Sequence, residues 1–97
     1  MADGEVFEEL YEVIENRRDN PREDSYTSGL FEHEKGADAA LEKLGEEATE
    51  VTLAAKNEDT DELVHESADL VYHLFVVLAA QEVELGEVIE ELEKRRG

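Results

Sequence analysis

The run Val71-Tyr72-His73-Leu74-Phe75-Val76-Val77-Leu78-Ala79-Ala80 is apolar on nearly every side of a helix. A helix of that kind must lie at the centre of a fold, with other elements around it. Only 97 residues are present to surround it, which suits one domain, residues 1–97, with a modest core. Strand-like alternation is absent, and every patterned segment has helical periodicity. The expected fold class is therefore all-α, an antiparallel bundle of four to five helices. One unit this small leaves part of the central helix bare. A second subunit is expected to complete the bundle, as a twofold homodimer.

The other elements follow from local signals. Residues 4–18 are predicted as the first helix, with Val6, Phe7, Leu10, Tyr11, Val13 and Ile14 on its apolar face and Asp3 as N-cap. Asp19-Asn20-Pro21 stops it, because the residue before proline leaves the helical region. Residues 19–36 are the least regular and contain the only proline. Within them Ser25-Tyr26-Thr27 has two readings. It is a functional loop whose hydroxyls meet phosphate or sugar, or a short helix start capped by Ser25 or Thr27, with Tyr26 and Phe31 plugging the core. Residues 37–56 form the second long helix, with an apolar stripe of Ala37, Ala40, Leu41, Leu44, Ala48, Val51 and Ala55. Gly45 costs that helix about 1 kcal/mol relative to Ala. Close approach by a backbone or a ligand would rationalise it, and a simple kink is the alternative. After a turn at residues 57–60, Asp59 and Glu62 resemble a capping box for a helix over 61–81. A last helix, 85–96, is expected to turn Leu85, Val88, Ile89 and Leu92 to the core.

The net charge is −19, from 28 acidic and nine basic side chains. Such a chain repels nucleic acid, whose binding rests on Lys and Arg neutralising phosphates, and anionic membranes likewise. No apolar run reaches membrane-spanning length, and no secretory signal is visible at the N-terminus. A cytoplasmic location is the expectation. The absence of cysteine excludes disulfides, thiolate metal sites and a cysteine nucleophile. Self-repulsion of this size is tolerable where salt screens it, which points to a halophilic source.

The acidic residues are not spread evenly. Glu47-x-x-Glu50 and Glu66-x-x-Asp69 each place two carboxylates on one side of a helix. The 15 residues between them allow one helix to end and the next to run back, so that all four converge. Like charges about 4 Å apart repel by about 4 kcal/mol at an effective dielectric near 20. Such a cluster protonates or holds a cation, and oxygen donors select Mg²⁺ or Mn²⁺. The alternative is a solvated acidic face. Glu62, Glu66, Asp69 and His73 lie along one edge of the apolar face, where a cleft can form, rather than opposite it. His73 is read either as orienting water or substrate, or as a satisfied structural histidine. Lys43 and Lys56 are placed to neutralise a phosphate, or else to serve as an intrahelical ion pair and a dipole complement.

These residues resemble a family. The ExxE and ExxD couplets on successive helices are the pattern of the all-α, MazG-like nucleotide pyrophosphohydrolases. Ser25-Tyr26-Thr27 with Leu30, Lys43 through Val51, Ala54-Ala55-Lys56-Asn57 and Glu66 through Leu74 look like phosphoribosyl-ATP pyrophosphatase, from about residue 5 to residue 95. The resemblance implies Mg²⁺-dependent hydrolysis of phosphoribosyl-ATP to phosphoribosyl-AMP and pyrophosphate, the second step of histidine biosynthesis, by a cytoplasmic homodimer. It implies Glu47, Glu50, Glu66 and Asp69 as metal ligands, Glu46 as a neighbouring ligand or base, Lys43 and Lys56 on phosphate, and the Ser25-Tyr26-Thr27 loop closing over substrate. In such a reaction a free carboxylate such as Glu46 or Glu47 is expected to take the water's proton. Gly29, Ala39 and Glu42 stand where the family often carries basic residues. With no cysteine for the zinc site of a fused cyclohydrolase, the stand-alone form is expected. The rival readings are a house-cleaning nucleoside triphosphate pyrophosphatase of the same superfamily and a non-catalytic acidic helical interaction protein.

Overall fold

In the computed structural model, which describes residues 4–96, the chain forms α1 (Glu5–Asp19), α2 (Tyr26–Glu32), α3 (Asp38–Lys56), α4 (Thr60–Ala80) and α5 (Leu85–Arg95). No strand occurs among the described residues. The all-α expectation holds, with five helices. Asp3, expected to cap α1, lies outside the described residues; Gly4 occupies the N-cap position without a side-chain bond.

α4 is the axis. Phe75, Val76 and Ala79 form the core with Tyr11 and Ile14 of α1, Leu30 of α2 and Ala40 of α3. Tyr11 meets Phe75 edge-on at 5.7 Å, and its hydroxyl donates to the Val83 carbonyl. Arg18, in the last turn of α1, donates to the Ala79 carbonyl at 2.7 Å and ties the ends of α1 and α4 together. By length and average composition α4 is apolar enough to cross a membrane. The core helix of a soluble protein passes the same measure, and the expectation that no uninterrupted apolar run is long enough stands, because Glu66 and Asp69 break the stretch.

Residues 25–31 take the helical reading. Ser25 Oγ accepts from Ser28 N–H at 3.1 Å, as an N-cap does. Ser28 is 2% exposed; its Oγ donates to the Arg17 carbonyl and accepts from Arg22 N–H, both at 3.0 Å. One hydroxyl thus staples the end of α1 to the start of α2. Tyr26, however, is no core plug. The inward side of α2 is taken by Thr27, Ser28 and Leu30, and Tyr26 is 58% exposed, stacked beside Tyr72 at 6.2 Å.

α3 lies along α4 in an antiparallel hairpin. The row facing α4 is Ala40, Leu44, Glu47, Val51 and Ala54, all buried or half-buried. Their spacing alternates four and three, the seam of paired helices. The predicted stripe is therefore turned: Leu41, Ala48 and Ala55 are exposed, and Glu47 sits inside the seam. α3 runs through Gly45 unbroken, and no neighbouring backbone approaches it. At the turn, Glu58 takes a left-handed φ of 55°, and Asp59 accepts from Glu62 N–H at 3.1 Å. The Asp59 N–H bonds to the Ala54 carbonyl at 3.0 Å, so only half of the expected capping box forms.

α5 departs from expectation. None of its residues is buried; Ile89 is 39% and Leu92 60% exposed. With Phe7 of α1 and Val71 and Leu74 of α4 they line an apolar groove of about 640 Å³. The side chains are large enough to reach inward, but nothing among the described residues fills the space between α1, α4 and α5.

Candidate metal centre

The α3–α4 hairpin sets Glu47 and Glu50 against the stripe of α4 that carries Glu62, Glu66 and Asp69. Carboxylate oxygens of Glu50, Glu62 and Glu66 all lie within 4.8 Å of one another. A second trio, His65, Glu66 and Asp69, meets the same limit, with His65 Nε2 3.4 Å from Asp69 Oδ2 and 3.8 Å from Glu66 Oε1. Glu66 belongs to both trios and is the buried member, at 8% exposure. Burial, then a hydrogen bond with Glu62, then the charges of Glu50, Glu62 and Asp69 push its pKa above the ordinary carboxylate value. A carboxyl that resists ionisation among other carboxylates lacks a counter-charge. The oxygen-rich donor set suits a hard dication such as Mg²⁺ or Mn²⁺.

Glu47 stands apart from the trios. It is 9% exposed, and its Oε1 lies 2.6 Å from His73 Nδ1. That nitrogen is aligned on the Asp69 carbonyl at 3.1 Å, so Glu47 Oε1 is buried without an aligned hydrogen bond. A carboxylate oxygen buried without an aligned donor costs free energy, and a cation on the other oxygen of Glu47 would offset that cost. His73 is itself 5% exposed, and its Nε2 faces the Tyr26 hydroxyl at 3.1 Å. Neither ring nitrogen is open to a substrate in this arrangement.

The cations divide. Lys43 reaches Glu46 at 3.8 Å, the ion pair its spacing allowed. It also borders a hollow of about 230 Å³ with Tyr26, Lys35, Glu42 and Glu46. Lys35 Nζ lies 3.3 Å from both Glu42 oxygens. Lys56 is in the last turn of α3, about 20 Å along the helix from Lys43 at 1.5 Å per residue. Of the Ser25-Tyr26-Thr27 trio, Ser25 is engaged as a cap, and Thr27 is buried on the Tyr72 hydroxyl. Only Tyr26 presents a ring outward.

Sequence reasoning passed over Glu62, His65 and Lys35 as site residues. Glu62 was visible as a member of the acidic edge, but its capping role accounted for it. Lys35 comes from the segment before α3, and nothing local places it beside Lys43.

Comparison with known proteins bears on this site. Residues 7–96 match the family model described as phosphoribosyl-ATP pyrophosphohydrolase. A phosphoribosyl-ATP pyrophosphatase of Haloarcula marismortui is 59% identical over 93 residues, covering 96% of this chain and 95% of that one. Its counterpart from Haloquadratum walsbyi is 60% identical over 90 residues, covering 93% and 90%. A third, from Methanocella arvoryzae, is 50% identical over 96 residues and covers 99% of each. The first two come from halophiles, in keeping with the acidic composition. A match spanning both acidic couplets, the hollow and the helices that carry them shows that the chain belongs to the phosphoribosyl-ATP pyrophosphohydrolase family.

Proposed function

We propose that the protein hydrolyses phosphoribosyl-ATP to phosphoribosyl-AMP and pyrophosphate, the second step of histidine biosynthesis, with Mg²⁺ held by Glu47, Glu50, Glu66 and Asp69. The observation that carries the site is the buried Glu66, shared by two trios of potential ligands on one helical hairpin. Glu62 joins the ligand set, because oxygens of Glu50, Glu62 and Glu66 all lie within 4.8 Å of one another. A bound Mg²⁺, or Mn²⁺ in its place, supplies the positive charge that a polyphosphate and departing pyrophosphate require.

The chain's own residues do the remainder. Lys43 and Lys35 meet phosphate oxygens at the hollow, where the exposed Tyr26 ring closes one side. Glu46, exposed beside Lys43, takes the proton of the attacking water, with Glu47 the other carboxylate in reach of that role. Lys56 serves the far end of the site. The reaction is placed in the cytoplasm, where phosphorylated intermediates are retained.

The test is pyrophosphate release from phosphoribosyl-ATP in concentrated KCl. Release with Mg²⁺ and none without it is expected. Release from free nucleoside triphosphates but not from phosphoribosyl-ATP would favour the house-cleaning reading, and none from any nucleotide would overturn catalysis altogether. Lys43→Ala is expected to raise KM by about tenfold, the loss of about 1.4 kcal/mol of phosphate binding, with little change in kcat. Unchanged KM and kcat would reduce Lys43 to its ion pair with Glu46.

We also propose a homodimer that covers the apolar groove. Phe7, Leu74, Ile89 and Leu92 expose an apolar surface there that a second copy would bury. Sedimentation equilibrium in molar KCl should give twice the 11.0 kDa chain mass, and Leu74→Glu should return the monomer. A monomer in the unsubstituted protein would exclude the assembly.

A further inference from the structure

Tyr26 and His73 are 47 residues apart in sequence, on different helices, yet they end at the same carboxylate. Tyr26 Oη lies 3.1 Å from His73 Nε2, and the two rings meet edge-on at 6.0 Å. On the other side of the imidazole, Nδ1 faces two oxygens, the Asp69 carbonyl at 3.1 Å and Glu47 Oε1 at 2.6 Å. A bare nitrogen lone pair between two oxygens would be repelled by both. The proton therefore sits on Nδ1, and in the neutral ring Nε2 accepts from the Tyr26 hydroxyl. Glu47 Oε1 is sealed from water, so the 11% of this side chain still exposed belongs to its other atoms.

We propose that Tyr26 and His73 are positioning residues for Glu47. The Tyr26 hydroxyl fixes the tautomer and tilt of the imidazole, and Nδ1–H, aligned on the Asp69 carbonyl with Glu47 Oε1 only 2.6 Å away, steadies that oxygen by its partial positive charge so that the other is presented to a cation. The seating of α2 on α4 is thereby coupled to the readiness of a ligand on α3. The Thr27–Tyr72 hydroxyl pair and the Tyr26–Tyr72 stack keep that seat in place. Neither Tyr26 through its hydroxyl nor His73 touches the ion; they act through Glu47. The inference rests on reading Glu47 as a metal carboxylate. Partners that orient a ligand in this way are worth about 10- to 100-fold in metal affinity.

The experiment is a Mg²⁺ titration of thermal melting in molar KCl, which reads affinity without turnover, since a ligand of the folded state raises Tm according to its concentration over Kd. The variants are Tyr26→Phe, His73→Gln and His73→Asn, with Glu50→Gln as control. His73→Gln puts its amide where Nε2 was and leaves Glu47 without a donor; a Mg²⁺ midpoint raised by about tenfold or more is expected. His73→Asn places an N–H near the Nδ1 position and should restore much of that affinity. Tyr26→Phe, at an exposed position that tolerates the change, should raise the midpoint by a smaller factor and decides the matter alone if the His73 variants do not fold. Midpoints equal to the unsubstituted protein in Tyr26→Phe and His73→Gln would overturn the inference while leaving the metal centre intact. Equal losses in His73→Gln and His73→Asn would overturn the role of Nδ1–H. If the unsubstituted protein shows no Mg²⁺ response, and Glu50→Gln melts as it does, the metal reading of the site fails and the inference with it.

Discussion

Glu66→Gln and Glu50→Gln each lower phosphoribosyl-ATP hydrolysis by at least about a hundredfold, the scale of removing one electrostatic group aimed at developing charge. Both variants fold, and in the absence of Mg²⁺ both melt higher than the unsubstituted protein. The two effects have opposite signs because one cluster causes both. Around Glu66, burial, then a hydrogen bond with Glu62, then the charges of Glu50, Glu62 and Asp69 oppose ionisation. Its folded pKa is raised above the unfolded value near 4.5, so the folded state binds its proton more tightly than the unfolded state does. The penalty is absent below the unfolded pKa. It grows as pH rises toward the raised folded pKa and persists at neutral pH. Metal-free protein should therefore gain stability on acidification through that window, and Glu66→Gln should flatten that part of the profile. Mg²⁺ should flatten it too, by supplying the missing positive charge. Near-normal turnover in both variants at saturating Mg²⁺ would remove these carboxylates from the site.

Transfer from molar to about 10 mM KCl lowers Tm by more than about 10 °C, the equivalent of roughly 2 kcal/mol in a domain of this size. The cause is the unscreened charge. Even if all nine basic side chains were paired, 28 acids less nine bases leaves 19 carboxylates without a partner. The ion pairs that form, such as Lys35 with Glu42 and Arg95 with Glu91, lie at the surface and contribute little each. At 1 M salt the screening length is about 3 Å, and at 0.01 M about 30 Å, comparable to the 38 × 31 × 25 Å molecule. Every acid then repels every other against a core of few residues. Melting followed by circular dichroism checks this, and identical curves at the two salt levels would contradict it.

Much of this architecture was written in local sequence. The apolar run from Val71 marked α4 as the axis, Pro21 closed α1, and Asp59 opened α4. The three-residue spacing of the couplets, with 15 residues between, foretold a hairpin with carboxylates on both arms. The rotation of α3 was not legible, since Leu41, Ala48 and Ala55 are as apolar as Leu44, Val51 and Ala54. Only the packing on α4 breaks that tie, and there Glu47 meets His73 in the seam. The bond from Tyr26 to His73 had no local signal, because it depends on how α2 crosses α4. Lys35 reached the hollow for the same reason. α5 misled because an apolar stripe shows which side of a helix avoids water, not whether its own chain covers that side.

Both arms of the acidic hairpin are neighbours in the chain, with Glu50 and Glu66 joined by one short turn. Contacts so local form early in folding, ahead of those that close longer loops. The carboxylates thus come together without help from α1, whose contacts with α4, such as Arg18 with Ala79, close much longer loops. Counter-ions are accordingly needed on the way to the native state as well as in it. Refolding of this chain is expected to quicken with salt or Mg²⁺, so that ions act as partners in assembly before any nucleotide arrives.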